Sequence, residues 1–371
     1  MHQEPSGVRI MAYTTIDDPS AHFHTQLYTG NADANAITND ANAGNLAPDM
    51  IWFKVRSHAG SHRLFDTTRG ETISLRPEDS AAESDLDSDG MESLDSDGFT
   101  LDGTGSGGPV NENTKTYVAY QWKANGGSTT TNDTSATGVG DQDSVYQANT
   151  TAGFSIVTWS GDDSVGANAH GLGTVPHLII VKCRSASEPW EVYHHKNTSA
   201  PETDYLRLSE NTATTDDATR WNDTAPTSTV FTVGDTGSTN ENGKTYVGYL
   251  WKEIQGYSRF GSYQGNGSAD GPFVYTGFKP AFVITKDTGS TEQWNLVDNK
   301  RNPFNPADTR IMPNLNNAEQ DLDAISRDYL SNGFKLLNAD GAINTSGNTY
   351  IYIAFAEQPF VTSGGVPCTA R

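Results

Sequence analysis

The sequence predicts an all-β fold built of three tandem β-sandwich units, each of about 100 residues. Three observations carry that expectation. The first is an internal repeat. Pro176-His-Leu-Ile-Ile-Val-Lys182 has counterparts in Pro48-Asp-Met-Ile-Trp-Phe-Lys54 and Pro280-Ala-Phe-Val-Ile-Thr-Lys286. Eight residues after each lysine stands His62, Trp190 or Trp294. Tyr117, Tyr246 or Tyr350 follows the proline at 69 or 70 residues, and Asn111, Asn240 or Asn344 precedes that tyrosine by six. Spacings held three times mark a repeated structural unit. The second observation is composition. Only 35% of the 371 residues are hydrophobic and 36 are glycine. Gly, Asn and Asp serve turns, while Thr, Tyr and Val serve strands. The third is patterning. Leu178-Ile-Ile-Val181 is apolar at consecutive positions, which suits a strand buried on both faces. In Tyr117-Val-Ala-Tyr-Gln-Trp122, Tyr117, Ala119 and Gln121 share one face and Val118, Tyr120 and Trp122 the other.

Taken in order, residues 1–20 form an arm without periodicity, and Met1 and Met11 are alternative starts. Unit 1 spans 21–124, unit 2 spans 151–254 and unit 3 spans 255–360. Each opens with a short strand ending in a Gly turn, at Leu27-Tyr-Thr-Gly-Asn31, Val157-Thr-Trp-Ser-Gly161 or Ser262-Tyr-Gln-Gly-Asn266. The proline-led strand follows, since proline lacks an N–H and suits the first position of a strand. A strand ending in Asp66, His194 or Asp298 comes next, with Arg69 and Arg301 three residues beyond the two aspartates. A Ser-Asp-Gly-Phe99 or Ser-Asn-Gly-Phe334 turn then feeds a hairpin, and the aromatic strand closes the unit. Asn317–Asp323 is the one plausible short helix. Residues 125–150 read as a flexible, low-complexity linker and 361–371 as a tail. The short junction Glu253–Ser258 predicts that units 2 and 3 form a rigid pair, with unit 1 a separate lobe.

The formal charge of −22 repels phosphate backbones, so nucleic acid is not an expected partner. No apolar run reaches the ~18 residues of a spanning helix and no signal peptide is visible, so neither membrane insertion nor secretion is expected. Cys183 and Cys368 read as free thiols. His22-x-His24 could place two metal ligands on one strand face, but no third is evident. His194 and His195 point to opposite faces of a strand. Asp85, Asp87 and Asp89 match the first half of a calcium loop, yet Ser96 stands where the bidentate acid belongs, so a solvated acidic loop is the simpler reading. Gly265-Asn-Gly-Ser-Ala-Asp-Gly271 lacks the Lys-Ser/Thr of a phosphate loop. No catalytic motif is present, and a non-enzymatic protein without cofactor is expected.

Lys54, Lys182 and Lys286, with Asp66 and Asp298, could line a groove; a strand-end lysine paired with a nearby acid is the favoured reading. Pro48, Pro176, Pro280, Trp190, Trp294, Tyr117, Tyr246 and Tyr350 read as structural anchors because their register is fixed. Tyr193, Tyr205, Trp221 and Tyr257 vary between units and are the candidate ligand contacts.

Longer segments carry a family likeness. Ala12-Tyr-Thr-Thr-Ile-Asp-Asp-Pro-Ser-Ala21 with Leu27–Asn31, Tyr257–Pro280, Leu330-Ser-Asn-Gly-Phe-Lys335 and Tyr350-Ile-Tyr-Ile-Ala-Phe-Ala-Glu-Gln-Pro-Phe360 resemble a virion-protein family from tailed phages of marine bacteria, cyanophages included. That resemblance covers Met11 to Phe360. It implies jelly-roll or lectin-like sandwiches in a tail-fibre or spike subunit exposed on the virion, with other virion proteins and a host-surface glycan as partners. A homo-oligomer, a trimer by analogy with fibres, is expected, although no heptads are present. A head decoration protein or capsid fibre is the alternative, and a glycan-degrading tail enzyme a third.

Overall fold

The computed structural model describes residues 12–40, 46–86, 89–103 and 108–369. The chain is all-β, and the two α-helices among the described residues, Thr134–Thr137 and Gly341–Asn344, are single turns. One strand order occurs three times. An opening strand (Phe23–Thr29, Phe154–Ser160 or Ser258–Gln264) pairs with a closing strand (Thr116–Trp122, Thr245–Trp251 or Thr349–Pro359). The closing strand pairs with the proline-led strand (Met50–Val55, Leu178–Cys183 or Phe278–Asp287). That strand pairs with a return strand (Arg63–Asp66, Glu191–His194 or Asn295–Asp298). All these pairings are antiparallel. A smaller sheet covers one face of each: Asn35–Ile37, Gly98–Leu101 and Met91–Asp95 in unit 1, Gly166–Ala169 and Val230–Val233 in unit 2, and Phe273–Tyr275, Gly333–Leu336 and Arg327–Leu330 in unit 3.

Side-chain alternation explains why the large sheets are apolar on both faces. Tyr117 and Ala119 enter the sandwich interior of unit 1, while Val118, Tyr120 and Trp122 face away from it. Tyr246 and Leu250 point inward in unit 2, and Val247, Tyr249 and Trp251 outward. Unit 3 divides Tyr350, Tyr352 and Ala354 from Ile351, Ile353 and Phe355 in the same way. All three outward sets belong to one shared core, joined by Phe282, Ile284, Trp190 and Trp294. The units therefore bury their second faces against each other, around an apolar cavity of about 30 Å³. Unit 1 is not a separate lobe: it contributes Met50, Trp52 and Trp122 to this core.

Polar contacts between units close a cycle. Trp190 Nε1 of unit 2 donates to Arg76 O of unit 1, at 2.9 Å. Trp294 Nε1 of unit 3 donates to Arg207 O of unit 2, at 2.9 Å. His62 of unit 1, at the same register, reaches Met312 O and Leu315 O of unit 3 through Nε2. Backbone bonds close the same cycle with the donor order reversed: Glu83 N–H of unit 1 to Arg184 O of unit 2, Thr214 N–H of unit 2 to Thr288 O of unit 3 and Glu319 N–H of unit 3 to Arg56 O of unit 1. The tryptophans are thus anchors between units as well as within them, both with no exposed surface.

The other anchors act locally. Asn111, Asn240 and Asn344 are fully buried. Asn344 accepts from Asn266 N–H and donates to Ser268 O, fixing the Gly turn after the opening strand, and Asn111 does the same through Asn31 N–H and Asp33 O. The tyrosine six residues on accepts a backbone N–H through its hydroxyl, from Glu112, Glu241 or Thr345. Pro48 and Pro176 precede their strands, but Pro280 lies inside Phe278–Asp287 at a register shift, where a missing N–H breaks no ladder bond. Gly98 sits in the hairpin turn with φ +106°, and a Cβ there would lie 2.0 Å from Ile37 O. Gly333 needs no positive φ; the carbonyl of Val274, 2.1 Å from an added Cβ, demands glycine instead.

Two further expectations change. Residues 125–150 are not a free linker: Thr130–Asn132 and Ser144–Asn149 extend the large sheet of unit 2, and Asp133 caps the helical turn between them. Their Ser, Thr, Asn and Asp side chains make local hydrogen bonds rather than solvate a coil. No helix forms at Asn317–Asp323; Gln320–Asp321 pairs with Thr309–Arg310, and Glu319 is drawn to Arg56.

Candidate binding cleft at a seam between units

The repeated lysines do not line a groove. Each ammonium is enclosed by main-chain carbonyls: Lys54 by Val55, Gly60 and Asn316, Lys182 by Cys183, Glu188 and Ser80, Lys286 by Asp287 and Ser290. Carbonyls, not the acids expected, are their partners. Burial lowers each to about 8, and the carbonyls still require a protonated donor. Asp66 and Asp298 are equally enclosed. Asp66 accepts Arg69 Nε at 2.6 Å and the Tyr249 hydroxyl of unit 2 at 2.7 Å, and Asp298 accepts Arg301 and the Tyr120 hydroxyl of unit 1.

The four candidate ligand contacts are also interior. Tyr193 packs edge-on against Trp221, whose Nε1 donates to Asp204 O. Tyr205 lies beneath the Arg207 and Arg220 guanidinium groups. Tyr257 is 1% exposed, in the shared core. Their variation between units reflects different packing, not a ligand. His22 meets the Tyr257 ring and His24 meets Asp40. Among the described residues no group of three or more His, Cys, Asp or Glu could hold a metal. Asp87 lies outside the described residues; Asp85 belongs to a short edge strand.

A shallow opening of about 540 Å³ lies within unit 2 at Thr131, Asp141, Ser160 and Thr245, and further openings lie at the seams. Where unit 2 meets unit 3, a cleft of about 340 Å³ is bounded by Tyr13, His177, Glu253, Arg259 and Tyr275. Glu253 leaves the closing strand of unit 2, and Arg259 is the second residue of the opening strand of unit 3. Glu253 Oε1 accepts Phe260 N–H at 3.0 Å and lies 3.5 Å from His195 Nε2; its Oε2 lies 3.4 Å from Arg259 Nη1. Burial works to raise the Glu253 carboxyl, but the His195 and Phe260 hydrogen bonds and the Arg259 charge outweigh it and hold it low. His177 Nδ1 accepts Glu253 N–H, and its ring stands 4.6 Å from that of His195; burial and that neighbour lower its pKa.

Aromatic rings form the rim. Tyr13 donates to Gly277 O at 2.7 Å and meets the Tyr275 hydroxyl at 3.1 Å. Gly277, at φ +84°, leaves room for the arm, since a Cβ there would stand 2.8 Å from the Tyr13 hydroxyl. Tyr275 is 53% exposed and Phe273 46%, on one face of the edge strand Phe273–Tyr275. Exposed aromatics paired in this way are uncommon on a polar surface.

The other two seams differ. Between units 3 and 1 a cleft of about 230 Å³ is crowded by ion pairs, Lys300–Asp40 at 2.9 Å and Lys279–Glu357 at 3.1 Å. Between units 1 and 2, residues 124–149 bridge the seam beside an opening of about 380 Å³: Asp49 accepts three N–H groups from Ala124, Gly126 and Gly127, and Gln147 donates to Thr67 and Thr68. Sequence reasoning passed over Tyr13, Glu253, Arg259 and Tyr275 because none lies in a repeated motif. The available signal was that three of the four lie at or beside the short junction and its distinctive glycine-rich continuation.

No helix among the described residues is long and apolar enough to cross a membrane. No curated protein and no solved structure matches the chain. One family does, described as Domain of unknown function (DUF7483). Its match runs over residues 18–359, through all three units, and the chain belongs to that family.

Proposed function

We propose that this protein is a bacteriophage virion structural protein, a tail-fibre or spike subunit displayed on the particle, whose Tyr13–Tyr275 cleft contacts a host-surface glycan. The virion assignment rests on the resemblance of Ala12–Ala21, Tyr257–Pro280 and Tyr350–Phe360 to marine phage virion proteins. The glycan assignment rests on the cleft: exposed aromatic faces beside a fixed carboxylate–guanidinium pair, the groups that stack on sugar rings and bind their hydroxyls. Glu253 is the single carboxylate among its lining residues, and two acids serve glycoside hydrolysis, which favours binding over cleavage. The closed cycle of units reads as a one-chain counterpart of a trimer, so the chain needs no coiled coil or interwoven strands for assembly. That same self-sufficiency favours the second reading, a head decoration protein.

A glycan array followed by calorimetric titration tests the cleft. The wild-type chain is expected to bind a surface glycan, and Tyr275→Ala to weaken that binding roughly tenfold while the fold is kept. Retention of wild-type affinity by Tyr275→Ala would remove the cleft from the function; no glycan bound at all would leave the decoration reading.

A further inference from the structure

Unit 3 carries a charged group inside its sandwich. Arg327 opens the strand Arg327–Leu330 and has no exposed surface. Its Nε, Nη1 and Nη2 all lack a hydrogen-bond partner. Its guanidinium lies over the face of Phe334, 6.0 Å from the ring centroid. Arginine does not discharge by losing its proton, so the charge stays and must be answered.

A second orphan faces the same interior. Thr285 is fully buried and its Oγ1 has no partner. On its strand Val283 points into the sandwich and Ile284 away, so Thr285 points in. The strand Phe278–Asp287 packs against Arg327–Leu330. Unit 1 fills both positions with apolar groups. Arg327 pairs with Leu336 as Met91 pairs with Leu101, and Thr285 follows Pro280 by the five residues that separate Phe53 from Pro48. Met91 and Phe53 are both core residues of unit 1. A matched exchange of two apolar core residues, on strands that pack together, for a cation and a hydroxyl is not a packing change; both new groups donate hydrogen bonds, and neither has an acceptor.

We propose that the interior of unit 3 binds a small monovalent anion, of the halide class, between the Arg327 guanidinium and the Thr285 hydroxyl. The site is independent of the seam cleft. An anion supplies the missing acceptor and cancels the buried charge. The ion makes folding of unit 3 dependent on salt identity.

Thermal unfolding of the full chain in sodium chloride and in sodium gluconate, at equal ionic strength, tests this. Chloride is expected to raise the wild-type midpoint by a few degrees over gluconate, as for any ligand bound only by the folded state. Arg327→Met should lose that difference, and Thr285→Val should reduce it. The double variant Arg327→Met/Thr285→Phe restores the pair of unit 1 and should fold with no chloride response, which separates loss of the site from loss of the fold. Crystals grown in bromide should show an anomalous peak beside Arg327. An equal midpoint in both salts for the wild type, or an equal chloride response in Arg327→Met, would overturn the proposal and leave water as the partner of both groups.

Discussion

Asp66→Ala is expected to cost about 3–5 kcal/mol of stability, because it strands a buried guanidinium. Asp66 and Arg69 have no exposed side-chain surface, and Nε lies 2.6 Å from Oδ2. Asp66 Oδ1 accepts Thr68 and Arg69 N–H, and Oδ2 also receives the Tyr249 hydroxyl from unit 2. Burial opposes the Arg69 charge, but Asp66 and Tyr249 reverse the balance and hold its pKa above the ordinary value. The chain of charge continues outward: Arg69 lies 3.4 Å from Glu83, and Glu83 receives both arms of Arg184 from unit 2. Removing Asp66 therefore breaks a turn and a seam together. Tyr249→Phe, which removes one hydroxyl from the same carboxylate, should cost only about 1 kcal/mol. Asp66→Leu/Arg69→Met should recover part of the loss, since no buried charge is then left unpaired, while Thr68 N–H, Arg69 N–H and the Tyr249 hydroxyl still lose their acceptor. Urea denaturation of the three variants gives the comparison. Asp66→Ala and Tyr249→Phe of equal stability would contradict this assignment.

Acid should destabilise the fold through three buried histidines. His62 Nδ1 accepts the Trp52 indole N–H, His170 Nδ1 accepts Leu172 N–H, and His194 Nδ1 accepts Lys196 N–H. With Nδ1 an acceptor, each Nε2 must carry the proton, and it donates to Leu315 O, Thr227 O or Tyr352 O. A second proton would face an N–H at close range. Burial, chiefly, lowers His62 and His194 to about 3 and His170 to about 4. The unfolded chain binds protons near pH 6.5, so stability is complete above that pH and falls as pH drops toward 3 to 4. At pH 4.5 each histidine should cost about 2–3 kcal/mol. Stability curves of wild type and His62→Gln from pH 7 to 4.5 isolate one share. Parallel curves for the two proteins would contradict the assignment of His62 as a neutral bridge.

The repeat was legible because each unit solves the same problem: a sheet with two buried faces, closed by a tyrosine and turned by an asparagine. Strand pattern and anchor positions followed from that periodicity. What could not be read was how the second faces are covered. Val118, Tyr120 and Trp122 announce a buried surface, but nothing in one unit says that the cover is another unit of the same chain. Hence the expected lobes and linker gave way to a closed cycle, with Thr130–Asn149 serving as sheet edge and seam bridge. The site was misplaced for a related reason. Large aromatics outside the repeat, Tyr193, Tyr205 and Trp221, vary between units as ligand contacts would, yet they pack the interior of unit 2. Tyr275 sits on a short edge strand whose exposed face only the tertiary arrangement defines.

Cryo-electron microscopy of a phage particle carrying this chain bears most directly on the proposed role. One copy of the chain should fill three-lobed density at the distal end of a tail appendage, with the Tyr13–Tyr275 seam facing outward, if the proposed role holds. Density on the capsid lattice or in a collar, or lobes that each require a separate copy, would contradict it.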